Sequence, residues 1–332
     1  MSTVPGLYGN FLYGTPPFFQ NLPAISTPHG TLVKPGGRIA AYLRSTGVAD
    51  GDEQWVGSVP LVTTLNQACA YCRSGKNDVI FVLPNHAENI SSANQMSNMV
   101  AGTQIIGLGR PGASNNPTFT WTAATASWLL NVADVSLQYL TLNLANADNV
   151  AAPITVTGAG VSMIGCEIQA GTSTSLDCTI PITVSTGAHD FLFANNRMYS
   201  SGGALHTQSI LISAAVNRPR IVGNDIDVEV SANSVGVITL SAAATQVRIV
   251  GNILANRRAN ASAAVINFSD TTGLEGIIAK NYFKLTQDIT VATAAIVAAG
   301  SSNHGMRAFE NLGHDENIGT AIASTIGAGT IE

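Results

Sequence analysis

Short apolar triplets recur along the chain at a nearly constant interval. They open at Ile154 (ITV), Ile182 (ITV), Ile210 (ILI), Ile238 (ITL), Ile266 (INF) and Ile296 (IVA), at spacings of 28, 28, 28, 28 and 30 residues. Within each triplet apolar letters alternate with polar or small ones, and Gly, Asn, Asp and Ser bound the segments, which is the punctuation of short strands. Two further apolar columns follow in every unit. One holds Met163, Phe193, Ile221, Ile249 and Ile278, and the other Ile168, Met198, Ile226, Leu254 and Phe283. A helical repeat would need an apolar face running for about ten residues in each unit, and none is present. The pattern predicts an all-β chain: a single-stranded parallel β-helix of about 28 residues and three strands per turn, with turns stacked at the ordinary strand spacing of ~4.8 Å.

Between the second and third columns runs a polar one: Asn196, Asn224, Asn252, Asn281 and Asn311, with Cys166 where the next Asn upstream would fall. Equal positions of successive turns lie on top of one another in such a coil. The column therefore predicts an internal amide ladder at a tight bend, where Asn tolerates left-handed backbone geometry.

The repeat is traceable from Trp128 onward and, with looser spacing, back to "DVIFVLP" near Val79, so residues 79–332 read as the coil. Residues 1–60 break the pattern. Pro5, Pro16, Pro17, Pro23, Pro28 and Pro35 interleave there with Tyr8, Phe11, Tyr13, Phe18 and Phe19, a composition that forms no regular element yet is rich in side chains that seek burial. This reads as an extended arm, buried on a partner or folded back on the coil. Residues 61–78 carry "TLNQACAYCRSGKND", with Leu65, Ala68, Cys69 and Cys72 at helical spacing, Thr64 in N-cap position and Gly75 past the end. That predicts a short helix capping the first turn.

Charge is sparse. Charged residues make up 11% of the chain and the net charge is −5, against an average of about 25% charged. No basic footprint for nucleic acid exists, and a poorly charged exterior suits flanks buried against other copies. No apolar run of membrane-spanning length occurs, and "MSTVPGLYGN" lacks a basic region followed by an apolar run, so neither membrane insertion nor ordinary secretion is expected. The four cysteines, Cys69, Cys72, Cys166 and Cys178, form no disulfide framework and are expected to be reduced. Cys69-x-x-Cys72 has no second ligand pair for zinc.

Candidate chemistry is thin. "GLGRPG" from Gly107 follows a strand-like run, but "ASNNPTF" behind it opens no helix to hold a pyrophosphate, so nucleotide binding is rejected and no cofactor is expected. Asp225, Asp227 and Glu229 alternate along one strand and share a face. The repeat aligns Asp225 with Glu167, Arg197, Ile253 and Tyr282 of other turns. Paired carboxylates could support glycan cleavage, which makes Asp225, Asp227 and Glu167 the candidate catalytic set. The other reading is a solvated, arginine-neutralised patch. His189, His206, His304 and His314 fall at different phases and assemble no Ser-His-Asp set. His86 and Glu88 of "PNHAEN" are placed to pair locally, and nothing points to a metal. A carbohydrate-binding module would show aromatic columns outside, for which Tyr199 and Tyr282 are the candidates.

The run "TTLNQACAYCRSGKNDVIFVLPNHAENI" (Thr63 to Ile90), then "IIGLGRPG" and "PTFTW", with the "ITV" turns, resembles phage proteins with pectate-lyase-like parallel β-helices, and among them the head decoration or cement proteins. The resemblance spans nearly the whole chain after the arm. It implies a right-handed coil, a homotrimer on the outer surface of the capsid, and an N-terminal segment holding Tyr8, Phe11, Tyr13, Phe18 and Phe19 in contact with the major capsid protein. It supplies no catalytic residues. Tail spikes share this coil, so the alternative is a tail-spike-like polysaccharide depolymerase or lyase.

Overall fold

A computed structural model describes residues 37–45, 54–56, 58–109, 113–144, 150–173, 176–200, 206–230, 236–257, 264–269, 273–285, 296–298 and 305–315. The chain is an all-β, right-handed parallel β-helix. Three sheets of 12, 10 and 7 strands run along its sides, and among the described residues strand pairing is parallel apart from two short antiparallel pairs, Gln54–Val56 with Val59–Val62 and Glu167–Ser173 with Leu176–Asp177.

The repeat arithmetic reappears as register. Ile154, Ile182, Ile210, Ile238, Ile266 and Ile296 are direct partners along the seven-stranded sheet, with Trp128 one turn earlier. The column from Met163 to Ile278 is in register along the twelve-stranded sheet, and that from Ile168 to Phe283 along the ten-stranded sheet. All these side chains are buried in one continuous core. Each contributes roughly 1.5–3 kcal/mol by leaving water.

The asparagine ladder forms at the corner between the twelve- and ten-stranded sheets. Asn224 Oδ1 accepts from the Asn196 backbone N–H at 2.9 Å and from Asn196 Nδ2 at 3.1 Å, while Asn224 Nδ2 donates to the Phe193 carbonyl at 2.9 Å. The same set repeats at Asn252, Asn281 and Asn311. Asn196 starts the chain by accepting from the Cys166 N–H at 2.8 Å. The left-handed residue is not the ladder Asn, as the sequence suggested, but the residue before it: Gly165, Asn195, Gly223, Gly251, Lys280 and Glu310 all have φ between 53° and 67°. Placing the bend one residue earlier turns the Asn side chain inward, where its amide reaches both neighbouring rungs.

The coil begins earlier than 79. Strand Ile39–Leu43 pairs in parallel with Val79–Val82, and Val59–Val62 lies on its other side, so the long sheet starts inside the stretch expected to be arm. Residues 1–36, with Tyr8, Phe11, Tyr13, Phe18 and Phe19, lie outside the described residues. Within 61–78 the helix is Leu65–Ala70, opened by a capping box between Thr64 and Gln67. Leu65, Ala68 and Cys69 enter the main core, with the helix against strands Ile39–Leu43 and Val59–Val62. Just behind it, buried Asp78 receives Arg73 through two side-chain bonds of 2.9 and 2.7 Å and the backbone N–H groups of Arg73 and Arg38. Burial alone would push this carboxyl up, but these donors outweigh it and hold Asp78 below its usual value.

Candidate functional site

The outer face of the ten-stranded sheet carries the candidate carboxylates. Glu167, Arg197 and Asp225 are consecutive partners in one column, and Gln169, Tyr199 and Asp227 in the next. Strand alternation explains the placement: Ile168, Met198 and Ile226 between them point into the core. The column places Arg197 between the two acids, since Glu167 and Asp225 are each its strand neighbour.

Arginine dominates the electrostatics here. Arg197 Nη1 lies 3.5 Å from Glu167 Oε1, and its guanidinium carbon sits 5.0 Å from the centroid of the Tyr199 ring. Tyr199 is pushed above its ordinary value by burial and then by the Glu167 carboxylate. Arg257 Nε is 2.8 Å from Asp227 Oδ1, and its Nη2 donates to the Ser200 carbonyl. Asp225 is exposed and has no ion pair among the described residues. Sequence reasoning missed Arg257. The signal was parity: Ile253, Ala255 and Arg257 continue the outward alternation of their strand, as Asp225, Asp227 and Glu229 do in theirs. A side chain as long as arginine reaches the adjacent rung.

Toward the C-terminal end the same outer column turns apolar. Asp225 is followed by Ile253, Tyr282 and Leu312 in register, and these are 49%, 38% and 68% exposed. Phe309, three residues before Leu312, is also exposed. The seven-stranded sheet shows Leu129, Thr155, Thr183, Leu211, Thr239 and Asn267 at its intervening positions, with no titratable side chain among them.

The remaining candidates resolve structurally. His86 Nε2 lies 3.3 Å from Glu88 Oε2, which also accepts from the Leu65 N–H at 2.8 Å, so the expected local pair ties the second strand segment to the helix start. His206 Nε2 is 2.9 Å from Ser209 Oγ, a pairing the sequence did not reveal, but both residues are fully buried and closed to substrate. Burial lowers His206 to about 4. His189 accepts from the Asn217 N–H at 3.1 Å; His304 and the side chain of His314 lie outside the described residues. The cysteines are free. Burial pushes Cys72 up to about 12 and Cys69 higher still, so these thiols stay protonated and unreactive at neutral pH. Gly107 of "GLGRPG" is explained by packing, since a Cβ there would run into the Tyr139 carbonyl. Among the described residues no cluster of three or more His, Cys, Asp or Glu could hold a metal, and no helix is long and apolar enough to cross a membrane.

No protein-family model matches the chain, and no curated protein matches it. Among solved structures, the A-module of the mannuronan C-5 epimerase AlgE6 from Azotobacter vinelandii aligns over 80% of this chain and 93% of its own, at 13% identity and a TM-score of 0.26. At that distance no residue role passes from one to the other.

Proposed function

We propose that the chain is a structural virion protein, a head decoration or cement protein that binds the outer surface of a phage capsid as a homotrimer. The observation that carries the non-catalytic part of this reading is the arginine interleaving of the acidic flank. General acid/base cleavage uses two carboxylates facing a common open space. Here Arg197 stands between Glu167 and Asp225, and Arg257 holds Asp227. The exposed column of Ile253, Tyr282 and Leu312 supports burial on assembly, and the resemblance of the 63–90 run to decoration proteins supports the setting. The mechanism is mass action: each contact made on the assembled shell stabilises it, and three linked chains raise one another's effective concentration.

The test is capsid binding by a chain lacking residues 1–36. The reading expects loss of binding with the coil still folded by circular dichroism; occupancy equal to the intact chain would refute the role of Tyr8, Phe11, Tyr13, Phe18 and Phe19. The exposed Asp225, with no ion pair among the described residues, keeps a glycan-cleaving tail spike as the second reading. That reading requires release of reducing ends from host polysaccharide and its loss in Asp225→Asn with Asp227→Asn.

A further inference from the structure

On the outer face of the twelve-stranded sheet, away from the acidic flank, lies an open trough of about 490 Å3. Its floor is a row of in-register side chains from successive strands: Gln104, Ser136, Ser162, Leu192 and Arg220. Gln138 and Ile164 lie beside them in the next outward column. Five strands at the ordinary spacing give a row of ~19 Å, so the trough suits a chain rather than a single ring.

One wall is the corner where left-handed residues stack, and it has a gap. Asp134, Gly160 and Asp190 follow one another there, each with positive φ. Gly160 leaves the corner without a side chain; a Cβ at that position would come within 2.5 Å of Asp134 Oδ1. Asp190 is clamped by Arg218 through bonds of 2.6 and 2.7 Å.

The floor is polar and incompletely satisfied. Gln138 Nε2 donates to Ser136 Oγ at 2.8 Å, and Ser136 Oγ shares a bond of 2.9 Å with Ser162 Oγ. The network ends on Gln138 Oε1. That oxygen is buried and has no donor among the described residues, on a side chain only 3% exposed that lines the trough. Buried acceptors are nearly always paired, so this one asks for a donor; the oxygen is closed to solvent as it stands, and a donor from the trough that the side chain lines reaches it when the side chain turns outward. Half-buried Ile164 and Leu192 set apolar surface beside it.

We propose that the trough binds a neutral saccharide chain lying along the coil axis. A sugar hydroxyl supplies the donor for Gln138 Oε1 and an acceptor for neighbouring hydroxyl groups, while the C–H face of a pyranose covers Ile164 and Leu192. Neutrality follows from the lining: Asp134 and Asp190 are offset by Arg220 and by the Arg218 that holds Asp190. This goes beyond the structural reading and does not depend on it.

The test is saturation-transfer NMR on the full chain with millimolar maltohexaose, mannohexaose and cellohexaose, followed by titration of any oligomer that responds. The expected result is transfer to at least one of the three. Gln138→Leu should weaken it about tenfold, the cost of one good polar contact, without lowering the melting temperature. Ser162→Tyr, which fills the trough from a half-buried strand position, should abolish binding, and Thr183→Ala on the seven-stranded sheet should leave it unchanged. Transfer to none of the three oligomers, or wild-type binding by both trough variants, would overturn the proposal and leave Gln138 Oε1 to an ordered water only.

Discussion

Asn224 meets its neighbours on both sides. It accepts two donors from Asn196, gives one to the Phe193 carbonyl and one to Asn252 Oδ1. Asn224→Leu would strand the Asn196 N–H and amide and the Phe193 carbonyl in the core, where each unmet group costs ~1–3 kcal/mol. We expect a loss of ~3–5 kcal/mol in denaturant unfolding, against about 0.5 kcal/mol for an exposed change such as Arg248→Ala. His206 sets a pH window. Burial depresses it to about 4 from the ordinary 6.5, so between those values the unfolded chain takes up a proton that the folded chain refuses. Its contribution is therefore fully present above pH 6.5 and is lost as pH falls toward 4, by an amount on the order of 3 kcal/mol. His206→Gln should flatten that part of the stability–pH curve; an unchanged slope would contradict the assignment. At this scale the ladder was legible because five asparagines share one phase, but its geometry was not, since the left-handed residue beside it is variously Gly, Asn, Lys or Glu.

Elements were legible where the spacing is regular and obscure where it is not. From Ile154 onward the triplets keep their period and every expected partner is found in register. Upstream, the partners Val79, Gln104, Ser136 and Ser162 follow at intervals of 25, 32 and 26 residues, so loop insertions blur the columns. Strand Ile39–Leu43 was hidden altogether, since "KPGG" precedes it and no second copy marks its phase. The helix declared itself through its cap. Thr64 and Gln67 close a capping box and Glu88 takes the Leu65 N–H, so Thr64→Ala should cost ~1 kcal/mol, read as a matching drop in unfolding free energy. On the acidic flank the column of Glu167, Arg197 and Asp225 could be aligned by counting. Arg257 could not be paired with Asp227 that way, because it reaches its partner across rungs by side-chain length. The trough is made of Ser, Gln and Leu, residue types that carry no signal until the coil sets them side by side.

For the whole molecule, the change of one outer column from charged to apolar carries the expectation about assembly. In a cyclic oligomer with parallel coil axes, residues at equal height meet one another. Ile253, Tyr282 and Leu312 would then face their own kind, whereas Arg197 and Asp225 would face like charge. Ile253→Lys with Leu312→Asp should therefore convert a trimer to monomer in light-scattering size analysis while leaving the coil's far-ultraviolet spectrum intact; a trimer that survives both changes would place the interface elsewhere. The proposed role on the capsid is tested by cryo-electron microscopy of purified phage virions. The expected result is three-fold density of coil dimensions on the outer surface of the head; density confined to the tail would overturn that role and return the acidic flank to consideration as an active site.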